Sequence, residues 1–274
     1  MAVNLAFTAG YQDPAFRYEW IREHAYAVEY APDPERLDLL PQTVLPLVRQ
    51  GIPTRLHTRY FDYELGHADR IEADKALKVH LRTLEKMQGL SEPVVTVHTG
   101  LVPALPFREE HFRKNLSRLV QYANRMGVTV CLENLRLGHG SDPFKILQWA
   151  EESGAMITLD LGHALGCPRV LNQEMSILQV VELFASRVFG VHIYGKEDEQ
   201  GHHGVEDIEF FKPLMHRLLQ THCRWWTVEL SDPGLAMSTR SKVENYLERF
   251  YPVPDWAEES YRSQEQSRRG YERK

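Results

Sequence analysis

Cysteine is scarce in this chain, and its few positions form no pattern. The three cysteines, Cys131, Cys167 and Cys223, are odd in number and widely spaced. They therefore predict neither a disulfide framework nor a structural zinc knuckle. This usage is typical of a reducing compartment, so we expect a cytoplasmic protein.

Long apolar segments and an excess of basic residues are also missing. No stretch approaches the roughly 20 apolar residues that span a bilayer, and the N-terminus lacks the pattern of a signal peptide. Lys and Arg number 32 against 38 Asp and Glu, which gives a net charge of -6. Because phosphate-backbone binding usually requires a basic surface, we expect neither a nucleic-acid partner nor a membrane partner.

The length and composition fit one large domain. The chain has 274 residues, of which 43% are apolar and 26% charged, and single α/β barrels commonly reach this size. We expect one domain over residues 1–255, followed over residues 256–274 by a polar tail. The sequence leaves open whether the domain forms a homo-oligomer.

Eight short apolar segments alternate with helical patterns along the chain. In one such helix Leu77, Leu81 and Leu84 recur at spacings of three and four before Gly89, and Asp142-Pro143 is a typical helix start. Strand and helix repeated eight times predict a (β/α)8 TIM barrel. The predicted strands cover residues 3–8, 25–30, 52–58, 94–98, 128–133, 156–160, 188–192 and 225–229.

Five of these predicted strands end in an acidic residue or a histidine. In a closed parallel barrel the C-terminal strand ends meet at one face, where active sites lie, so the five endings should converge. Because side chains alternate between the two faces of a strand, the residues two positions before these endings point to the same inner side, and all of them are small. The endings are His98, Glu133, Asp160, His192 and Glu229, and the residues below them are Thr96, Cys131, Thr158, Gly190 and Thr227.

Four of the endings form a candidate ligand set for a metal ion. Glu133, Asp160 and Glu229 would repel one another if packed closely, and a divalent cation shared with His192 removes that conflict. Oxygen ligands with one nitrogen suit Mn²⁺, Mg²⁺ or Co²⁺ and also admit Zn²⁺. The alternative is a polar barrel mouth that holds salt bridges and no metal.

These residues carry a resemblance to a known superfamily. The order Glu133, Asp160 with His163 three residues later, His192 and Glu229 resembles the xylose isomerase-like TIM barrels. That group contains sugar isomerases and epimerases, cyclic-polyol dehydratases and the endonuclease IV family. The resemblance implies one catalytic metal held by the four ligands and contact between His163 and the substrate.

The segment after His192 departs from the superfamily pattern. Many relatives place a basic residue directly after this histidine, whereas here Lys196 comes later, so either Lys196 or Tyr194 would contact the substrate. His202 lies in a segment that resembles the histidine and glycine segment of the family. Gln200 stands where the endonucleases have aspartate, so we expect a third zinc to lack a ligand.

Other polar residues near predicted strand ends also have expected roles. His57 and His98 end the third and fourth strands, positions that hold another zinc in the endonuclease branch, and we expect both to contact the substrate. For Glu29 we favour pairing with Arg55 or Arg59 over orienting a metal ligand. Four further histidines are expected on helix surfaces, namely His80, His111, His216 and His222.

The sequence favours a metal-dependent isomerase or epimerase of a small sugar, sugar phosphate or related polyol ketone. Glu133 and Glu229 would exchange protons on opposite faces of an enediolate, with His163 completing the catalytic set. Three alternatives stay open. They are a cyclic-polyol dehydratase on the same site, an endonuclease IV-like zinc phosphodiesterase, and a barrel that binds a ligand without chemistry.

Overall fold

Eight parallel strands close into a barrel in the computed structural model, which describes residues 3–250. Each barrel strand pairs with the next along the chain, and pairing of Asn4 with Trp225 closes the ring. A separate antiparallel hairpin is formed by β8 and β9. The strands are β1 (Asn4–Gly10), β2 (Ala27–Ala31), β3 (Thr54–Thr58), β4 (Val94–Val97), β5 (Thr129–Glu133), β6 (Met156–Asp160), β7 (Val188–Ile193), β8 (Lys196–Asp198), β9 (Gly201–His203) and β10 (Trp225–Val228).

Helices connect the barrel strands and cover the outside of the sheet, which confirms the predicted (β/α)8 TIM barrel. Among residues 3–250, every helix is too short or too polar to span a bilayer. The predicted polar tail over residues 256–274 and the end of the predicted domain lie outside the described residues. The helices are α1 (Ala15–His24), α2 (Leu40–Arg49), α3 (Arg70–Met87), α4 (Glu109–Arg125), α5 (Pro143–Ser153), α6 (Leu161–Gly166), α7 (Pro168–Leu171), α8 (Ile177–Phe184), α9 (Ile208–Leu219) and α10 (Pro233–Phe250).

Local sequence signals explain where α5 begins and ends. Asp142 accepts a hydrogen bond from the backbone N–H of Phe144, and Pro143 occupies the first helical position. Gly154 ends the helix with a φ of 81°, a left-handed conformation that glycine adopts without strain. The helix start predicted from Asp142-Pro143 is therefore confirmed.

The barrel interior contains the predicted layer of small residues below the polar strand ends. Thr96 and Thr158 share a hydrogen bond of 2.9 Å between their hydroxyls. A Cβ atom on Gly190 would lie 3.0 Å from Thr158 Oγ1, so the close approach of β6 and β7 favours glycine there. The alternate residues are buried against the outer helices, as the strand period predicts: Val97, Leu132, Leu159, Val191 and Val228.

The prediction that His80 lies on a helix surface is wrong. This histidine is only 3% exposed, because it shares the inward face of α3 with Leu77 and Leu84. Its ring centroid lies 5.1 Å from that of Tyr60, and burial lowers the pKa of His80 from 6.5 to about 4. His222 is exposed, as expected, but lies in the connection before β10 rather than on a helix.

The other two histidines of that group lie on helices, as predicted. His216 is exposed on α9. His111 is half-buried on α4, where its Nδ1 lies 2.9 Å from the carbonyl oxygen of His67.

Candidate active site

The four predicted metal ligands meet at the C-terminal mouth of the barrel. Glu133 ends β5, Asp160 ends β6, His192 lies near the end of β7, and Glu229 directly follows β10. All four residues are buried. One nitrogen or oxygen atom from each lies within 4.8 Å of the atoms from the other three, so the strand ends converge as expected.

The atoms that face one another in this cluster lack hydrogen-bond partners. His192 Nδ1 lies 2.8 Å from Glu229 Oε2, 3.3 Å from Glu133 Oε1 and 3.7 Å from Asp160 Oδ2. Within residues 3–250, none of these four atoms is aligned for a hydrogen bond. Because native proteins rarely leave buried polar atoms unpaired, three carboxylate oxygens and one imidazole nitrogen around a shared point fit a divalent cation.

The charges in the cluster shift the pKa values of His192 and Glu133 in opposite directions. Burial alone would lower the pKa of His192, but the Glu133, Glu29 and Glu229 carboxylates outweigh burial and raise it well above 6.5. Burial alone would raise the pKa of Glu133, yet the neighbouring imidazoles hold it well below its usual range. The raised pKa favours the protonated form of His192, and a divalent cation bound by these atoms would compete with that proton.

A second group of ligand-type residues contacts the other oxygen of Glu133. His57 Nε2 lies 3.1 Å and His98 Nε2 3.0 Å from Glu133 Oε2. The two imidazole rings stack with their centroids 4.7 Å apart, and burial lowers the pKa of His57, which favours the neutral form that binds metals. Glu133 thus bridges two groups that could each hold an ion.

A third group lies at the hairpin of β8 and β9. His163 Nε2 is 3.4 Å and His202 Nε2 is 4.0 Å from the carboxylate of Glu197. The expectation that a third site lacks an acidic ligand because of Gln200 is therefore wrong, since Glu197 supplies the carboxylate. The antiparallel register pairs Glu197 with His202 across the hairpin, a pairing that linear spacing to the histidine could not indicate.

Asn134 links Asp160 to His163 and was not identified from the sequence. Its side chain accepts a hydrogen bond from the Asp160 backbone N–H at 2.9 Å and donates one to the Asp160 carbonyl at 3.0 Å. The carbonyl of Asn134 accepts from His163 Nδ1 at 2.9 Å, which leaves Nε2 directed toward the hairpin. Asp160 Oδ1 accepts from the His163 backbone N–H at 2.6 Å and begins α6.

The preferred pairing of Glu29 with an arginine is wrong. Glu29 Oε2 lies 3.1 Å from His192 Nε2, on the opposite side of that ring from the four-residue cluster. Arg55 instead pairs with Glu92 at 3.0 Å, and Arg59 approaches Glu229 at 3.9 Å. The contact is consistent with the alternative, in which Glu29 orients a predicted metal ligand.

A cavity of about 260 Å³ opens above the ligand clusters. His98, His163 and His202 line it, whereas His57 is buried and is not one of its lining residues. Lys196 is exposed beside Asp198 and does not reach this cavity of the described structure, so its position does not support substrate contact. The lining residues are Arg59, Phe61, His98, Gly100, Leu101, Pro103, Glu133, Leu135, Arg136, Leu137, His163, Glu197, His202 and Glu229.

Tyr194 is buried beside the third cluster and packs on its histidines. Its ring is stacked on that of His202 with centroids 4.0 Å apart and an angle of 6°, and it meets His163 edge to face at 6.2 Å. A Cβ atom on Gly162 would lie 2.0 Å from the Tyr194 ring. Glycine at position 162 is therefore required for Tyr194 to occupy this position.

Several solved structures share this barrel at low sequence identity. A D-tagatose 3-epimerase-like protein is 20% identical with a TM-score of 0.70, covering 89% of this chain and 97% of its own. An L-ribulose 3-epimerase is 16% identical with a TM-score of 0.67, covering 91% and 95%. Endonuclease IV from Thermus thermophilus is 17% identical with a TM-score of 0.62, covering 90% and 99%. These likenesses show the fold.

Sequence comparison identifies the family. An uncharacterized protein of Methanocaldococcus jannaschii is 28% identical over 186 residues, which is 67% of this chain and 80% of that protein. The profile of the xylose isomerase-like TIM barrel family matches residues 23–262. With the closed barrel and the converging strand ends already described, this match shows that the chain belongs to the xylose isomerase-like TIM barrel family.

Proposed function

We propose that the chain is a divalent-metal-dependent isomerase or epimerase of a small sugar, sugar phosphate or related polyol ketone. The observation that carries this proposal is the cluster of four unpartnered ligand atoms below a cavity of about 260 Å³. A cavity of this size admits a small polyhydroxylated molecule. Two structures with the same fold carry the names of sugar 3-epimerases or proteins like them.

The proposed metal ligands are Glu133, Asp160, His192 and Glu229. A divalent cation held there would supply positive charge to stabilise the enediolate form of the substrate. Mn²⁺, Mg²⁺, Co²⁺ and Zn²⁺ all suit three carboxylates and one imidazole. The histidines that line the cavity, His98, His163 and His202, would donate hydrogen bonds to substrate oxygens.

Glu229 and Glu133 are the proposed proton carriers, and their surroundings differ. Glu229 lines the cavity, and its Oε1 lies 3.9 Å from Arg59 Nη1, so this carboxylate would take a proton from the carbon beside the carbonyl. Glu133 Oε2 contacts the imidazoles of His57 and His98. A proton exchanged by Glu133 would therefore be shared with this histidine pair, which extends the two-glutamate mechanism expected from the sequence.

Solvent exchange tests the proposed reaction. The protein would be loaded with excess Mn²⁺ in D₂O and supplied with a panel of ketoses and ketose phosphates, and deuterium at the carbon beside the carbonyl would be measured. Glu229→Gln and Glu133→Gln should each slow exchange by at least about 10²-fold. Glu92→Gln, which alters the carboxylate paired with Arg55, is the control and should exchange normally.

The outcomes of this experiment separate mechanism from function. Full exchange by the metal-loaded Glu229→Gln variant would refute its role as a proton carrier. Absence of exchange by the wild-type protein on every ketose of the panel would contradict the isomerase proposal itself.

A second candidate function is the hydrolysis of a phosphate ester by clustered metal ions. The observation that favours it is the presence of further ligand groups beside the four-residue cluster, among them His57 with His98 around Glu133 and the group at Glu197. Paired ions about 3.5–4 Å apart activate water in phosphatases and nucleases. Three ions per chain together with cleavage of a phosphodiester would favour this candidate. Given the net charge of -6, we expect no incision of abasic-site DNA.

A further inference from the structure

The proposed chemistry leaves one buried carboxylate below the ligand cluster without a role. Glu29 lies in β2, is 3% exposed, and contacts His192 Nε2 at 3.1 Å through Oε2. We propose that Glu29 is a positioning residue that fixes the orientation and tautomer of the His192 ring. The ring then presents Nδ1 to Glu133, Asp160 and Glu229.

The two nitrogens of His192 face different partners, and this division is the basis of the inference. Nδ1 lies among the three carboxylates of the cluster, while Nε2 faces Glu29. When Nε2–H donates to Glu29, a neutral ring leaves Nδ1 unprotonated and able to bind a cation. Metal-binding histidines commonly donate their other N–H to a carboxylate in this way, and the contact holds the ring and raises its basicity.

The surroundings of Glu29 hold its carboxylate in one orientation. Thr96 Oγ1 on β4 donates to Glu29 Oε1 at 2.9 Å, and Thr227 Oγ1 on β10 donates to Oε2. Trp225 Nε1 in turn donates to Thr227 Oγ1 at 3.1 Å. Because a buried charge is costly unless it is hydrogen-bonded, these donors explain how the carboxylate is kept at the base of the mouth.

Glu29 also lies close to the second histidine group. One atom each of Glu29, His57 and His192 lies within 4.8 Å of the other two, and the rings of the two histidines are 5.0 Å apart. Glu29 therefore contacts His192 and lies near His57, a member of the second group that shares Glu133. Its loss should weaken metal binding more than it disturbs the rest of the barrel.

Co²⁺ binding by the full-length protein tests the inference, which rests on the metal-binding part of the proposed function. Affinity and the visible absorption bands of bound Co²⁺ would be measured for wild type, Glu29→Gln and the control Glu92→Gln. Glu29→Gln should bind Co²⁺ about 10- to 100-fold more weakly and shift the bands, because the ring is held less firmly. The control should match wild type in both measurements.

Thermal unfolding with a chelator identifies variants that simply fail to fold. Thr227→Val keeps the Glu29 carboxylate but removes one of its donors, and should bind Co²⁺ with an affinity between those of wild type and Glu29→Gln. If Glu29→Gln does not fold, wild-type affinity in a folded Thr227→Val would overturn the inference. Wild-type affinity and spectrum in a folded Glu29→Gln would overturn it directly.

The same titration separates this inference from the proposed function. Co²⁺ binding by wild type with an unchanged Glu29→Gln would refute only the positioning role of Glu29. Absence of Co²⁺ binding by wild type would overturn the proposed function and, with it, this inference.

Discussion

The buried histidine of α3 gives a quantitative prediction about stability and pH. Burial lowers the pKa of His80 from 6.5 to about 4, so between these values the unfolded chain binds a proton that the folded protein does not. The stability that this group contributes is fully present above pH 6.5 and is lost as the pH falls toward 4. The linkage relation gives a loss of about 2 kcal/mol between pH 7 and pH 5 from this group.

Urea unfolding of wild type and His80→Gln at both pH values tests this magnitude. With a chelator present, the free energy of unfolding of wild type should fall by about 2 kcal/mol more than that of the variant. The pH-independent cost of the substitution cancels because each protein is compared with itself at the two pH values. The contributions of the other titrating groups cancel because they are common to both proteins. His222→Gln, at an exposed position, is the control and should follow wild type. Equal falls for wild type and His80→Gln would refute the reasoning.

Three further predictions concern the site. Asp160→Asn should lose the metal because it removes a charged ligand, whereas His163→Ala should retain metal and lose turnover. The reverse pattern in metal analysis would mean that His163, and not Asp160, binds the metal. Because the pKa of His192 is raised well above 6.5, metal binding displaces a proton, and calorimetric affinity should fall by about tenfold per unit decrease in pH. Gly162→Ala would place a Cβ 2.0 Å from the Tyr194 ring and should cost roughly 1–3 kcal/mol in unfolding experiments; an unchanged stability would show that the ring moves freely.

The barrel and the placement of the cluster could be predicted because both follow from strand periodicity. Residues such as Glu133 and Asp160 each end an apolar strand, and a closed parallel sheet brings all such ends to one face. The small residues below them follow from the period of two, as the hydrogen-bonded Thr96 and Thr158 confirm. Local sequence alone is enough to predict that a segment forms a strand and which of its side chains point into the barrel.

The supporting contacts could not be predicted because they join residues that are distant in sequence. Glu29 meets His192 across the barrel, and their separation of 163 residues gives no local signal. Glu197 enters the third group only because a short hairpin returns the chain to His202. The prediction for His80 was wrong for another reason. A histidine at the edge of the apolar stripe of an amphipathic helix can face either the core or solvent.

Anomalous diffraction from crystals of the protein loaded with Mn²⁺ tests the central claim most directly. We expect an anomalous peak within bonding distance of Glu133, Asp160, His192 and Glu229, with His192 bound through Nδ1. Mn²⁺ found only at other positions, or no peak at the barrel mouth under saturating Mn²⁺, would contradict it.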